Sequence, residues 1–186
     1  MERIGEVIQR LPVYKKLTNM KEKKIKKYRL SISRVFPKRH IWEGCDTNFE
    51  QQIKDKIKIH TIRNNFPLWK RRIDEVNAGN AVLVLYEWTG KPYNSKTKTL
   101  FTFDKDSGIG VQKIEMRDIS GKLYYLFTID GNELVPFVDY RGEHVTYWAE
   151  KIAKNDGLGW HSFKDWFRKY ELREPMAIIH FTKFRY

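Results

Sequence analysis

The chain has 186 residues, of which 36 are Lys or Arg and 23 are Asp or Glu, so its net charge is +13. This length allows one sizeable core and is short for two domains, while 41% apolar and 15% aromatic residues exclude a disordered chain. The charge favours an anionic partner, nucleic acid before an anionic membrane, over a basic surface kept for solubility alone.

The sequence carries no sign of export or membrane insertion. No apolar run reaches 18 residues, and the first residues lack the apolar core and the small-residue cleavage site of a signal peptide. The single cysteine, Cys45, has no partner for an internal disulfide, which is typical of a reducing compartment. We therefore expect a cytoplasmic protein without membrane association.

Residues 1–27 form a basic N-terminal leader. The first 29 residues carry 10 basic and 3 acidic side chains, net +7, and the lysines are densest in "MKEKKIKKYR" (20–29). Like charges at this density repel one another, so the leader is solvated. Two roles stay open, an arm that lies along phosphates and a solubilising tail, and Met20 is an alternative start of the chain.

The first elements after the leader are a strand and a short helix. "YRLSISRVF" (28–36) alternates polar and apolar residues at period two, which indicates a strand that Pro37 stops. Thr47 and Glu50 have the spacing of a capping box and predict a helix that begins there and runs to Ile57.

A second strand, a longer helix and a series of strands follow. Residues 59–63 have strand character, and Pro67 predicts the start of a helix that "NAGN" (77–80) ends. The later strands are bounded by Gly, Asp, Asn or Ser and cover residues 81–88, 98–103, 110–116 and 123–129, with turn signals at 121–122 and 130–132.

The C-terminal part returns to helical spacing. Residues 144–154 predict a helix, Ser162 is placed to cap a second one over 163–170, and a final strand covers 176–184. Helices flanking mostly antiparallel strands predict an α+β fold, a small, partly closed β-barrel flanked by short helices.

"KIHTIR" (58–63) places polar groups where a strand begins. Side chains two residues apart share a face of a strand, so Thr61 and Arg63 point together and His60 and Ile62 point to the other face. Lys58 joins Thr61 only if it lies on the preceding turn. The alternative is a half-buried strand with an ordinary polar face.

Several stretches together resemble the ASCH domain family of the PUA-like superfamily. They are the Lys-x-x-Thr-x-Arg spacing of Lys58, Thr61 and Arg63, then "AGNAVLVLYEW" (78–88), and the acidic-Gly-apolar turn "DGL" (156–158). A short helix and a last strand follow, "SFKDWFRKY" and "MAIIHFTKFRY". The resemblance covers residues 28–186 and implies a PUA-like barrel with an RNA-linked role.

One bacterial group close to this pattern hydrolyses acetylcytidine with the Lys and Thr of the stretch and a glutamate at the acidic turn. Carried over by position, the catalytic residues are Lys58, Thr61 and Asp156. This chain has Asp where that group has Glu, and long insertions between residues 88 and 140 also set it apart. Because Asp is one methylene shorter than Glu, its carboxylate falls short of the position of the Glu carboxylate by roughly 1–1.5 Å unless the backbone compensates, and catalysis is intolerant of such errors.

The same residues suit binding or hydrolysis. For binding, Lys58 and Arg63 contact a phosphate, Thr61 donates a hydrogen bond and Asp156 accepts one from a base amino group. For hydrolysis, burial lowers the lysine pKa, and the amine then activates Thr61 or a water, with Asp156 orienting it or protonating the leaving group. We favour RNA or nucleotide binding, and a basic protein-interaction module is the third alternative.

A loop supplies further candidates for nucleic-acid binding. "EWTGKPYNSK" (87–96) places Trp88 and Tyr93 beside Lys91, and aromatics next to cations on a loop suit base stacking with phosphate contacts. The alternative for Trp88 is a place in the core. The basic helix segment "KRR" (70–72) is more typical of a solvated face.

Metal and cofactor chemistry have no support in the sequence. One cysteine cannot build a zinc site, and the five histidines do not have the spacing of metal ligands. The histidines are His40, His60, His144, His161 and His180. We expect His60 and His180 to be packed or hydrogen-bonded. The expected partners are RNA, single-stranded nucleic acid or a nucleoside, and the sequence does not set the oligomeric state.

Overall fold

The computed structural model describes residues 25–118, 125–134, 137–138, 144–145, 147–170, 172 and 174–186. Residues 1–24 of the leader and the predicted turn at 121–122 lie outside these ranges. The strands are β1 Lys26–Ser31, β2 His60–Asn64, β3 Ala81–Trp88, β4 Thr97–Phe103, β5 Gly110–Asp118, β6 Tyr125–Ile129, β7 Asn132–Leu134, β8 Phe137–Val138, β9 His144–Val145 and β10 Met176–His180. The helices are α1 Phe49–Lys54, α2 Phe66–Asn77, α3 Tyr147–Asn155 and α4 Trp160–Phe167.

The described strands form two main sheets and one small hairpin. The first sheet has the order β1-β3-β4, with β1 parallel and β4 antiparallel to β3. The second is antiparallel throughout and has the order β2-β10-β5-β6-β7, while β8 pairs only with β9. The predicted α+β fold with mostly antiparallel strands is confirmed; within the described residues the sheets do not close into one barrel.

Helix α2 packs against strands of both main sheets. Its N-cap, Asn65, accepts a hydrogen bond from the Leu68 amide, and Pro67 lies in the first turn, where its missing N–H costs nothing. Its apolar positions Trp69, Ile73 and Val76 are buried. The start at the proline and the buried face are as the periodicity predicts.

Two aromatic rings link the sheets on another side of the core. Phe103 ends β4, and Phe181 directly follows β10; their rings stack with centroids 5.7 Å apart. The Phe181 amide also donates to the Ile59 carbonyl, which holds the chain after β10 against the start of β2. The two main sheets therefore share one hydrophobic core.

The predicted helix caps are wrong in two places. Asn48, in a left-handed conformation (φ 55°), precedes α1, and its side chain makes no cap hydrogen bond. Glu50 does not close a capping box with Thr47, because its carboxylate binds the ammonium groups of Lys54 and Lys98. Ser162 lies inside α4, which begins after Gly159.

Other element ends differ from the periodic pattern. The first strand covers Lys26–Ser31, so it begins two residues before the predicted start and ends five residues before the predicted end. It ends early because residues 33–47 turn back on themselves, and the Thr47 amide donates a hydrogen bond to the Arg34 carbonyl. The helix predicted from residue 144 begins at Tyr147, and α4 ends at Phe167. The last strand ends at His180.

None of the described helices is both long and apolar enough to cross a bilayer. The longest, α2, has 12 residues.

Candidate functional site

Lys58 lies on the turn that joins α1 to β2. The turn is closed by the Gln52 carbonyl, which accepts from the amides of Ile57 (2.9 Å) and Lys58 (3.0 Å). Lys56 enters it with φ 58°. This reversal points the Lys58 side chain inward just before the regular pleat begins, and only 2% of the residue is exposed.

Asp156 lies at the turn that ends α3. Its amide still bonds to the Ile152 carbonyl (3.0 Å), and Gly157 then takes the left-handed conformation (φ 77°) that reverses the chain. The Ile59 amide donates to the Asn155 carbonyl (2.9 Å), which joins this turn to the start of β2. Two turns nearly a hundred residues apart in sequence are thus held side by side.

The Lys58 ammonium and the Asp156 carboxylate form a buried ion pair. The Lys58 Nζ donates to Asp156 Oδ1 (2.5 Å) and to the Asp156 backbone oxygen (2.5 Å). It also lies 4.3 Å from the centroid of the Phe49 ring, a cation–π contact. The cation therefore has two oxygen acceptors and an aromatic face, which together replace its hydration.

Thr61 and Arg63 extend this cluster along β2. Their side chains share a face as predicted: Arg63 Nη1 donates to Thr61 Oγ1 (2.7 Å) and to the Ile62 carbonyl (2.7 Å). Arg63 Nη2 donates to the Ser31 carbonyl at the end of β1 (2.8 Å). Arg63 thus ties β2 to the other sheet, and its guanidinium is engaged by protein oxygens.

The cluster has perturbed electrostatics. Burial raises the pKa of Asp156 above 3.8, although Lys58, Arg63 and the Thr61 hydroxyl oppose the shift. Burial likewise lowers the pKa of Lys58 below 10.5, against the attraction of Asp156. Both shifts favour the neutral forms, so a proton passes from amine to carboxylate at a lower cost than in water. Such coupled, desolvated pairs mark candidate functional sites.

The hollow around these four residues is too small for a ligand in this structure. It measures about 10 Å³, room for about one water molecule, and its remaining walls are Ile32, Ser33, Phe49, Leu158 and Trp166. Pockets that enclose drug-sized ligands have roughly 300–1,000 Å³. The structure therefore brings together Lys58, Thr61, Arg63 and Asp156, but these residues do not line the open cleft that was predicted from the sequence.

An open groove lies directly beside the hollow. It holds about 250 Å³ between residues 32–35 and 88–92, and its lining residues are Ile32, Ser33, Arg34, Val35, Trp88, Gly90, Lys91 and Pro92. Because Ile32 and Ser33 also line the hollow, these two residues form the wall between the groove and the buried cluster. We call this space the Trp88 groove.

The structure places the loop candidates in or next to this groove. Trp88 is half-buried, and its ring packs on that of Tyr93 (centroids 5.4 Å apart) and on that of Tyr86 (5.9 Å). Tyr93 is 87% exposed. Trp88 thus belongs to the groove wall rather than to the core, and Lys91 lies in solvent at the rim.

Arg34 is a further candidate that was not predicted from the sequence. It lines the Trp88 groove and donates from Nη1 to the Thr89 carbonyl (3.3 Å), which joins the two sides of the groove. Nothing in the sequence distinguishes it from the other basic residues, because its role depends on residues that lie about 55 positions further along the chain.

A larger space of about 330 Å³ also has Ser33 and Arg34 in its lining. Three carboxylates line it, Asp46, Glu50 and Glu87, with Arg34 and Lys54 as the cations. Lys98 pairs with both glutamates (2.6 and 3.7 Å). This space is not suited to phosphate, so the Trp88 groove is the better place for a polyanion.

His60 lies next to the ion pair and is completely buried. Its Nε2 bonds to the Tyr186 hydroxyl (2.8 Å), and Nδ1 lies 3.9 Å from Asp156 Oδ1. Burial lowers its pKa well below 6.5, and burial likewise lowers the pKa of His180 to about 3. Within the described part of the chain, no three His, Cys, Asp or Glu residues are placed to hold a metal ion.

The basic segment 70–72 on α2 behaves as a solvated face. Lys70 pairs with Asp74 one turn on (2.8 Å), and Arg72 lies over the Trp69 ring (4.8 Å). Arg72 also lies over the ring of Tyr28 in β1 (5.3 Å), so these charges interact with neighbours on the helix and on the adjacent strand.

Comparison with protein-family models, with curated proteins and with solved structures finds no match to this chain. The likeness to the ASCH family therefore depends on Lys58, Thr61, Arg63 and the other stretches of this sequence alone.

Proposed function

We propose that this protein binds single-stranded RNA or a nucleotide in the Trp88 groove. The observation that carries the proposal is the pairing, in one open space, of an accessible aromatic wall with the cations of Arg34 and Lys91. A base stacks on the aromatic wall at a gain of roughly 1–3 kcal/mol, and the cations receive the adjacent phosphates.

The size of the groove indicates how such a ligand lies. At about 250 Å³ it is just below the range of pockets that enclose drug-sized molecules. A single planar base therefore enters the groove, while its sugar and phosphate stay outside, near the exposed Lys91 and Lys96. A chain with net charge +13 also attracts a polyanion at long range.

The buried cluster has a second, inner role in this proposal. Ile32 and Ser33 line both the groove and the hollow that holds Lys58, Thr61 and Asp156. A shift of that wall by a few ångströms lets a base reach the carboxylate of Asp156, which accepts from an amino group as carboxylates do with cytosine. Without that shift, the Lys58 ammonium and the Asp156 carboxylate satisfy one another.

Hydrolysis of an acylated nucleoside is the second candidate, and one observation favours it. The Lys58 amine has a lowered pKa and an adjacent carboxylate with a raised pKa, in the same cluster as the Thr61 hydroxyl. Transfer of a proton to Asp156 leaves a neutral amine that serves as general base. The reaction requires the hollow to open, and acetate release from acetylcytidine, abolished by Lys58→Ala or Thr61→Ala, tests it.

We also propose that the two main sheets are the halves of a partly closed PUA-like barrel, and that the protein acts in the cytoplasm. The Phe103–Phe181 stack that links the sheets supports the first statement. The one cysteine, an exposed free thiol, supports the second.

Fluorescence anisotropy with a labelled single-stranded RNA, measured over a range of salt concentrations, tests the binding proposal. Trp88→Ala should weaken binding by roughly 5- to 150-fold at all salt concentrations, because it removes one stacking face. Lys91→Ala should reduce the slope of log affinity against log salt by about 1, because one phosphate contact is lost.

The matched control is Lys105→Ala, an exposed lysine on the turn after β4 that pairs with Asp106 (3.4 Å). It should change the salt slope no more than a neutral surface substitution. Wild-type affinity in Trp88→Ala and Lys91→Ala, with the fold verified by circular dichroism, would remove the Trp88 groove as the binding site.

A further inference from the structure

Two large apolar side chains are exposed to solvent in the loop that follows residues 32–35, the segment that lines one side of the Trp88 groove. Ile41 is 58% and Trp42 is 54% exposed, and they are adjacent in sequence. They lie within residues 37–45, which we call the tip loop. Single exposed apolar residues are common on protein surfaces, whereas an adjacent pair that includes tryptophan suggests a contact surface.

The tip loop is held from inside by His40, which is 6% exposed. The Trp42 amide donates to His40 Nδ1 (3.0 Å), so Nε2 carries the hydrogen and donates to the Ser162 carbonyl in α4 (3.0 Å). The imidazole also stacks on Phe36, with ring centroids 4.4 Å apart. One buried ring thus fixes the backbone of Trp42 to helix α4.

A second set of contacts fixes the neighbouring backbone. The Ile41 amide donates to Asp165 Oδ2 (2.8 Å), and Arg168 Nη2 donates to the Arg39 carbonyl (3.3 Å). The Cys45 amide donates to the Trp42 carbonyl (3.0 Å) and closes the loop. The exposed pair is therefore presented on an ordered backbone, which lowers the entropy lost when a ligand binds.

The charges around the tip favour an anionic ligand. Lys38, Arg39, Arg168 and Lys169 are exposed, and they outnumber two carboxylates: Glu43 accepts from the Arg39 amide (2.7 Å), and Asp165 pairs with Arg168 (3.0 Å). An exposed indole among cations is the combination that single-stranded nucleic acid uses, because every base has a face to stack and each phosphate needs a cation.

The tip is also close to the Trp88 groove. Val35 lines the groove, and the Gly44 amide donates to the carbonyl of the next residue, Phe36 (3.1 Å). Trp42 lies two residues before Gly44. With 3.8 Å between successive Cα atoms and about 7 Å between the Cα atoms that flank the hydrogen bond, the Cα atoms of Trp42 and Val35 are at most about 18 Å apart. One strand of several nucleotides, the usual extent of such sites, spans that distance.

We propose that Trp42 is a second base-stacking platform, so that one single strand places a base in the Trp88 groove and continues past Val35 to the tip loop. The inference rests on the binding function proposed above and extends it. The ligand is then a single-stranded oligonucleotide of more than two or three residues. The tip loop makes the protein bind such a strand more tightly than it binds a dinucleotide.

Two labelled ligands separate the platforms: a dinucleotide and an octanucleotide of oligo(A), a strongly stacking sequence. Trp42→Ala should weaken octanucleotide binding by roughly 5- to 150-fold and leave dinucleotide binding unchanged. Trp42→Phe should recover part of the octanucleotide affinity, because a smaller ring still stacks. Trp88→Ala should weaken both ligands.

The matched control is Tyr147→Ala, which removes an aromatic residue of similar exposure (50%) at the start of α3. It should bind both ligands as the wild type does. Melting curves establish that each variant is folded.

The outcomes distinguish the two proposals. If wild-type protein binds neither ligand, the proposed function fails. If it binds both and Trp42→Ala matches it on the octanucleotide, the proposed function stands and the second platform is refuted. An equal loss on both ligands also refutes it. Loss of pelleting with anionic vesicles in Trp42→Ala, with unchanged octanucleotide affinity, assigns the tip loop to lipid and overturns the inference.

Discussion

Replacing Lys58 by methionine tests whether the ion pair is as buried as the structure shows. Methionine keeps most of the length of the side chain and removes the charge, so the Asp156 carboxylate loses its partner while it stays enclosed. Removal of one member of a buried pair costs about 3–5 kcal/mol, because the other charge stays uncompensated. For a chain of this size each kcal/mol lowers the melting temperature by roughly 2–4 °C, so we expect a decrease of about 6–20 °C.

The pH dependence of this loss identifies its cause. Burial raises the pKa of Asp156 above its unfolded value near 3.8, and removal of Lys58 takes away an influence that lowers it. The folded variant then keeps a proton that the unfolded chain releases, so its stability falls as pH rises from about 4 through the folded pKa. The difference between variant and wild type should therefore be largest near pH 7 and shrink toward pH 4.

Urea unfolding followed by circular dichroism at several pH values measures both effects. Lys54→Met is the matched control, since Lys54 is an exposed lysine paired with Glu50 at 2.8 Å, and it should unfold with the wild type. The double variant Lys58→Met/Asp156→Asn should regain much of the lost stability, because no buried charge is left. A Lys58→Met protein that unfolds with the Lys54→Met protein at every pH would refute the reasoning.

Two further predictions concern stability around the site. His60 and His180 have folded pKa values below the unfolded value near 6.5, so only the unfolded chain takes up their protons as pH falls. Urea unfolding should show a loss of roughly 2.5 kcal/mol between pH 7.5 and 5.5, His180→Phe should halve it, and an unchanged loss would exclude His180 as a source. Gly157→Ala should destabilise more than Gly131→Ala, as measured by thermal unfolding. Both glycines have positive φ, but only at Gly157 would an added Cβ meet neighbours, Gln52 Oε1 at 2.7 Å and Lys58 Cβ at 3.1 Å. Equal effects of the two substitutions would mean that backbone strain alone acts.

The sequence predicted the elements that build the site, though not all their ends. The helix from Pro67 and the strand over 81–88 have strong local patterns, and α2 and β3 follow them. The shared face of Thr61 and Arg63 follows from the period of a strand, and the hydrogen bond between the two side chains shows it. The caps at Thr47 and Ser162 failed, because several residues compete locally for one helix start.

The proximity of Lys58 and Asp156 was available from the sequence only through the resemblance to a family. Periodicity sets which way a side chain points within its own element, and it contains nothing about a residue 98 positions away. Their contact depends on two turns, one closed by the Gln52 carbonyl and one reversed at Gly157. A hydrogen bond between the strand start and the helix end then holds both turns together.

The sequence by itself determined an α+β chain with a strongly basic surface and a polar face at the start of β2, because charge and periodicity are local properties. Only the tertiary structure decided that Phe49 and Trp166 pack over this face and that protein oxygens bind the Arg63 guanidinium. It also placed the accessible Trp88 groove next to the buried cluster, with Ile32 and Ser33 lining both. Access to a polar group depends on what packs over it from distant segments, and that packing is a property of the whole fold.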